Sequence, residues 1–118
     1  MKVLVIEDNP TNMKLAVEIL SLQGHEVLQA DEAETGLEMA ALEQPGLILM
    51  DIQLPGIDGL TATKRLKGDS RTSHIRVIAL TAFAMKGDEE KMIQAGCDAY
   101  VSKPIRYKEF LETLKRFT

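Results

Sequence analysis

Four short polar clusters in this sequence each follow directly on an apolar run, and each carries a side chain able to handle an ion. Glu7-Asp8 follows Val3-Leu4-Val5-Ile6, and Asp51 follows Leu47-Ile48-Leu49-Met50. Thr81 follows Val77-Ile78-Ala79-Leu80, and Ser102-Lys103-Pro104 follows Ala99-Tyr100-Val101. If the runs are strands of one sheet, three carboxylates, a hydroxyl and an ammonium converge at one sheet edge. Crowding three negative charges in a partly dry site is costly unless something neutralises them. A hard divalent cation does so, and an all-oxygen donor set suits Mg²⁺. Glu7, Asp8 and Asp51 are balanced only by such a metal acting together with Lys103, which leaves room for an incoming anion.

The elements needed to bring these residues together are legible. Three of the apolar runs are continuous, as expected of parallel strands buried on both faces. The runs at 26–30 and 99–102 are shorter and more mixed, which places them at the sheet edges. Helical signals fill the gaps. Asn9 caps a helix with Pro10 in its first turn and Met13, Ala16, Val17 and Leu20 on one face, and Gly24 ends it. A second helix is predicted from Glu32 to Glu43, burying Leu37, Ala40 and Ala41 before Pro45. The third and fourth, near Asp58–Lys67 and Lys86–Ala95, have thin apolar faces. The fifth carries Tyr107, Phe110, Leu111, Leu114 and Phe117 at helical spacing. Five strands alternating with five helices predict a doubly wound α/β domain with a parallel sheet in the order 2-1-3-4-5. Ligand sites in such sheets lie beyond the carboxyl ends of the strands, where the four clusters fall.

Composition narrows the function classes. At 118 residues the chain fits one domain, spanning 1–118, with enough length to bury a core unaided. With 14 Lys+Arg against 18 Asp+Glu it lacks the basic surface that a sequence-independent grip on nucleic acid needs. The apolar runs are far shorter than the roughly 20 residues of a membrane span. One cysteine, Cys97, excludes an internal disulfide and suits a reducing compartment. These features together predict a small cytoplasmic domain with no membrane or nucleic-acid partner.

The segments Val5-Ile6-Glu7-Asp8-Asn9, Leu49-Met50-Asp51-Ile52-Gln53-Leu54-Pro55, Leu80-Thr81-Ala82 and Tyr100-Val101-Ser102-Lys103-Pro104 resemble the receiver domains of bacterial two-component response regulators. The resemblance covers the whole chain and implies a flavodoxin-like, CheY-like (βα)5 fold. It implies that Asp51 accepts a phosphoryl group from a histidine kinase or a histidine phosphotransfer protein. A carboxylate suits that role because it is already ionised at pH 7 and needs no general base. By the same resemblance Asp8, Asp51 and the Gln53 backbone carbonyl bind Mg²⁺, for which Mn²⁺ can substitute, and Glu7 acts directly or through water. Lys103 pairs with a phosphoryl oxygen, and Thr81 and Tyr100 form the switch. The Lys103-Pro104 bond is cis in family members. Gln53 and Phe83 stand where the family tunes access of hydrolytic water, and a bulky Phe83 would lengthen the lifetime of the acyl phosphate.

The leading reading is a phosphorylation-controlled binding module without a DNA-binding output, acting through the face made by the fourth helix, fifth strand and fifth helix. Met85, Lys86, Arg106 and Lys108 are candidate contacts there. It is expected as a monomer or a phosphorylation-dependent dimer. The alternative is a receiver taken from a hybrid histidine kinase or a multidomain regulator. A strand-end Asp phosphatase is disfavoured, because those enzymes carry a second Asp two residues on, where this chain has Gln53. No Gly-rich loop with Lys-Ser/Thr follows the first strand, which removes P-loop nucleotide hydrolysis. His25 and His74 lack metal-ligand spacing and read as surface histidines. Cys97 reads as a small buried apolar group.

Overall fold

The computed structural model describes residues 1–82 and 86–118. Its elements alternate strictly: β1 (Lys2–Ile6), α1 (Pro10–Leu22), β2 (Glu26–Ala30), α2 (Ala33–Glu43), β3 (Leu47–Asp51), α3 (Gly59–Gly68), β4 (Arg76–Thr81), α4 (Lys86–Ala95), β5 (Ala99–Ser102) and α5 (Tyr107–Lys115). The strands form one parallel sheet in the order β2-β1-β3-β4-β5, as the sequence predicts.

Strand alternation divides the core into two layers. Val3, Val5, Leu47, Leu49, Ile78 and Leu80 pack against α1 and α5 through Ala16, Leu20, Phe110 and Leu114. Leu4, Ile6, Ile48, Met50 and Val77 face the other way, against Ala33 and Ala40 of α2 and Ala62 and Leu66 of α3. The central strands are buried on both faces, which is why they read as unbroken apolar runs. The edge strand β2 is only partly covered, with Val27 and Leu28 half-buried.

Local signals fix the helix ends. The Asn9 side chain accepts from Thr11 N (2.9 Å) and Asn12 N (3.1 Å), and Asp58 accepts from Thr61 N at 2.8 Å. Gly24 follows α1 with φ +82°, where only glycine is unstrained. α2 ends at Gln44, a non-glycine with φ 50°, whose side chain donates to Ala41 O and Arg71 O. These bonds satisfy carbonyls that a helix end leaves open.

Four packing expectations shift. On α2, Leu37 and Ala41 are only partly buried, and the buried positions are Ala33, Gly36 and Ala40. The buried face of α1 is Ala16, Ile19 and Leu20, while Val17 lies partly exposed at its border. Tyr107 is on the first turn of α5 but 52% exposed, so the buried stripe of that helix reduces to Phe110 and Leu114. Cys97 is half-buried, not buried, and its thiol donates to Thr63 Oγ1 at 3.9 Å. Burial pushes that thiol's pKa up, which keeps it protonated and unreactive. The thin face of α4 is confirmed: Met92 and Ala95 are buried, and Ile93 is largely exposed. Among the described residues no helix is long and apolar enough to cross a membrane.

Candidate phosphoacceptor and metal site

Parallel register brings the clusters together. Ile6 pairs with Met50, so Glu7 emerges beside Asp51. Asp51 pairs with Leu80 and Thr81 with Ser102, so the remaining two clusters follow along the same edge. Lys103 N donates to Thr81 O at 2.7 Å, fastening the end of β5 to the end of β4. The Lys103-Pro104 bond that follows is cis, as the resemblance implies.

Asp51 is 1% exposed and its Oδ1 accepts from Gln53 N at 3.0 Å. Lys103 Nζ lies 3.0 Å from that same oxygen and 3.0 Å from Glu7 Oε1. Glu7 is also 1% exposed, and its Oε2 accepts from Asn9 N at 3.2 Å. Its Oε1 has the Lys103 charge beside it and, among the described residues, no hydrogen-bond donor. Asp8 is exposed, and one oxygen each from Glu7, Asp8 and Asp51 lies within 4.8 Å of the others.

The electrostatics follow from this crowding. Burial, then the Asp51 carboxylate beside it, raises the Glu7 pKa from its ordinary 4.5 to about 7; Lys103 and the Asn9 N–H only partly offset this. Burial would push Asp51 up too, but a hydrogen bond from Glu7, the Gln53 N–H and Lys103 outweigh it and hold Asp51 below the usual carboxylate range. Without metal, Glu7 is therefore the member of the pair that takes up a proton more readily, and Asp51 the one that keeps its charge. Lys103 would be pushed down by its own burial, yet Asp51 and Glu7 hold its pKa above the ordinary lysine value. One ammonium faces three carboxylates, and this excess charge, the orphaned Glu7 oxygen and the oxygen-only donor set all fit a hard divalent cation.

The family profile of the response regulator receiver domain matches residues 3–115. The chain belongs to this family. It is 50% identical over 115 residues to the polar-differentiation response regulator DivK of Brucella anthropi, covering 98% of this chain and 94% of that protein. DivK of Brucella ovis matches to the same extent. Among solved structures, the receiver domain of the sensor histidine kinase PA1611 from Pseudomonas aeruginosa superposes with a TM-score of 0.90 at 33% identity, covering 98% and 95% of the two chains. That receiver was crystallised with a magnesium ion coordinated in its active-site cleft. The chemotaxis protein CheY4 of Vibrio cholerae shares the fold, with a TM-score of 0.93 at 22% identity over 99% of this chain and 98% of that one. The receiver is thus a component of two-component signalling.

Every residue expected at the site has a definite place in this receiver except Phe83, which with Met85 lies outside the described residues, as does the side chain of Lys86. Thr81 is buried (2% exposed), while Tyr100, on the edge strand, is 36% exposed. The Gln53 side chain is exposed, so at this position the backbone, not the amide, faces Asp51. His25 stands apart from the site, its Nδ1 3.1 Å from the Met1 amine, and His74 is exposed. Arg106 and Lys108 are exposed, with Arg106 3.6 Å from Glu109. The contributions missed in the sequence are the Asn9 and Gln53 N–H groups on the two carboxylates. Backbone donors leave no signal in residue types, although the tight spacing of Glu7 to Asn9 and Asp51 to Gln53 is the one that permits such turns.

Proposed function

We propose that Asp51 is the phosphoacceptor of this receiver, taking a phosphoryl group from the histidine of a kinase or a phosphotransfer protein. The observation that carries this is Lys103 Nζ lying 3.0 Å from both buried carboxylates, beside a third acid. The Asp51 carboxylate attacks phosphorus as an anion, and the bond from phosphorus to the donor histidine nitrogen breaks as the new P–O bond forms. Asp8, Asp51 and the Gln53 carbonyl would hold Mg²⁺ or Mn²⁺, with Glu7 joining directly or through water. When bound, the metal supplies positive charge against the phosphoryl oxygens. Lys103 neutralises a further phosphoryl oxygen as a point charge. The domain assists only its own phosphotransfer and dephosphorylation and turns over no external substrate.

Thr81 is the readout on β4, and Tyr100 answers it on β5. An aromatic ring with a polar tip is suited to exchange between a covered and an exposed position, and at 36% exposure Tyr100 is part-way between them. The face it belongs to holds a cavity of about 480 Å³ lined in part by Met92, Ile93, Tyr100, Ser102 and Glu109, which suits docking of a downstream protein. We place residues 1–118 as one receiver domain working in the cytoplasm, as a monomer or a phosphorylation-dependent dimer. Its role is that of a single-domain regulator of the DivK kind, supported by 50% identity over 94% of that protein's length. A receiver from a hybrid kinase is the second reading, favoured by the likeness to the PA1611 domain.

The test is intact mass after incubation with Mg²⁺ and acetyl phosphate. A gain of one phosphoryl group (about 80 Da) that needs Mg²⁺ and disappears in Asp51→Asn supports the reading. No gain with acetyl phosphate or with phosphorylated histidine donors overturns it.

A further inference from the structure

We propose that Gly59 is a positioning residue for Asp51, acting through backbone contact with the residue that carries the phosphoryl group; this rests on the reading of Asp51 as phosphoacceptor. Gly59 is the first residue of α3 and is buried. It is absent from the positive-φ residues Gly24, Gly56 and Gly96, so no special dihedral angle demands a glycine there. By helix propensity alanine would be the better residue. What excludes it is space. A Cβ on Gly59 would meet Asp51 O at 2.2 Å, Ile52 Cα at 2.7 Å and Asp51 C at 2.9 Å. All three are backbone atoms of the phosphoacceptor and its neighbour. Elsewhere the tightest glycines, Gly36 and Gly96, press against side chains (Ile6 and Lys67) and not against backbone.

Both partners in the contact are held. On one side, Asp58 caps α3 through Thr61 N, Thr63 Oγ1 donates to Gly59 O at 2.8 Å, and Ala62 and Leu66 anchor the helix in the core. On the other, Ile52 N donates to Leu80 O at 3.0 Å, and Gly59 N donates to Ile52 O at 3.0 Å. The helix start is therefore a stop against which the end of β3 rests. Beyond that stop the chain runs straight to Gln53, whose N–H holds Asp51 Oδ1 and whose carbonyl we assign to the metal. An added methyl cannot be absorbed by one rotamer change, so the displacement passes to the 51–53 backbone. Misplacement of a reacting group by about 1 Å can cost on the order of 100-fold in rate.

The experiment compares wild type, Gly59→Ala, Asp58→Ala and Gly96→Ala for two readouts on protein shown to be folded by circular dichroism. One is the rate of Asp51 phosphorylation by acetyl phosphate with saturating Mg²⁺; the other is the Mg²⁺ concentration that half-saturates the rise in melting temperature. Gly59→Ala is expected to slow phosphorylation by roughly 10- to 100-fold and to raise the half-saturating Mg²⁺ several-fold. Asp58→Ala frees the first turn of α3 without crowding it and is expected to do the same more weakly, by about 3- to 10-fold in rate. It decides the matter if Gly59→Ala does not fold. Gly96→Ala makes the same chemical change at the opposite edge of the sheet, and is expected to lower the melting temperature while leaving both readouts within about twofold. Rates and Mg²⁺ requirements in folded Gly59→Ala and in Asp58→Ala equal to those of wild type overturn the proposal. A wild type that takes no phosphoryl group at Asp51 overturns the phosphoacceptor reading instead, a result distinct from equal labelling of wild type and variant.

Discussion

Replacing Asp51 by asparagine should destroy phosphorylation and at the same time stabilise the metal-free protein. In the wild type two buried carboxylates share one ammonium at 3.0 Å from each, with Asp8 close by. The strain falls on Glu7, whose pKa rises from 4.5 to about 7. A shift of that size corresponds to about 3 kcal/mol for ionising Glu7 in the fold relative to the unfolded chain. Burial is the first cause and persists in the variant; Asp51 is the second and is removed. The relief is therefore on the order of 1 kcal/mol, once the lost attraction between Asp51 and Lys103 is set against it. The amide oxygen introduced by Asp51→Asn can still accept from Gln53 N, so the turn is kept. A carboxyl raised in the fold binds a proton that the unfolded chain has lost between pH 4.5 and about 7, so wild-type stability falls as pH rises through that window. The gain from Asp51→Asn should consequently appear at about pH 8 as a melting temperature higher by about 3–6 °C. It should be absent near pH 5, where Glu7 is protonated and Asp51 pairs with Lys103 alone. Scanning calorimetry in chelator, at both pH values, reads this directly. Saturating Mg²⁺ should then raise the wild type more than the variant and close the gap. An Asp51→Asn protein no more stable than wild type near pH 8 without metal would show that Lys103 already compensates the pair, and the charge-crowding argument would be wrong.

Three further outcomes follow from other contacts. Lys103→Met strips from Glu7 and Asp51 the one cation paired with them among the described residues and should destabilise the metal-free protein by about 3 kcal/mol near pH 8, with a larger rise in melting temperature on adding Mg²⁺ than wild type shows; an unchanged Mg²⁺ response refutes it. Asp98 joins Lys67 Nζ (3.2 Å), Arg76 Nη1 (3.2 Å) and Val77 N (2.8 Å), contacts that outweigh its burial and hold its pKa below the ordinary value. A depressed carboxyl contributes stability above its unfolded pKa and loses it as pH falls through the folded one, so Asp98→Asn should cost about 1–2 kcal/mol near pH 7 in urea titrations and progressively less as pH falls below the ordinary aspartate value. Phe110 is fully buried between α5 and the sheet, and Phe110→Ala should cost about 3–5 kcal/mol, measured as a lower urea midpoint at unchanged slope; a loss under about 1 kcal/mol would mean that the layer repacks around the gap.

The fold was legible because its rules are one-dimensional. An unbroken run such as Leu47-Ile48-Leu49-Met50 reports two-sided burial, and Asn9-Pro10 and Gly24 report the two ends of a helix. Strand order followed from which runs were mixed, since an edge strand is covered on one side only, as β2 shows. What stayed hidden depends on three-dimensional closeness. Tyr107 has the right spacing for the apolar stripe of α5, yet it is 52% exposed, and spacing alone does not report where along a helix the core ends. Val17 and Ile19 are equally apolar, and only the seating of α1 decides which is buried. Nothing in the residue pattern singles out Gly59 at the start of the third helix, whereas in space it is the one glycine at which a Cβ would meet the backbone of Asp51.

The same register that makes the site legible also makes it unstable. Parallel pairing of Ile6 with Met50 obliges Glu7 and Asp51 to leave the sheet side by side, and the layers beneath them are too well packed to let either turn inward. Neither acid can relax by reaching solvent, since both are 1% exposed, and one lysine serves both. The repulsion is therefore built in by the sheet register and is relieved by a proton on Glu7 or by a cation beside the pair. Thr81 stands one register step along the same edge, and the bond from Lys103 N to Thr81 O ties the end of β5 to it. The elements there bury little of their own: α4 buries Met92 and Ala95 among its described side chains, and β5 is four residues long at the sheet edge. A free-energy change of a few kcal/mol at a rigid centre, next to elements with little buried area of their own, is the condition under which a small chemical event can shift a surface population.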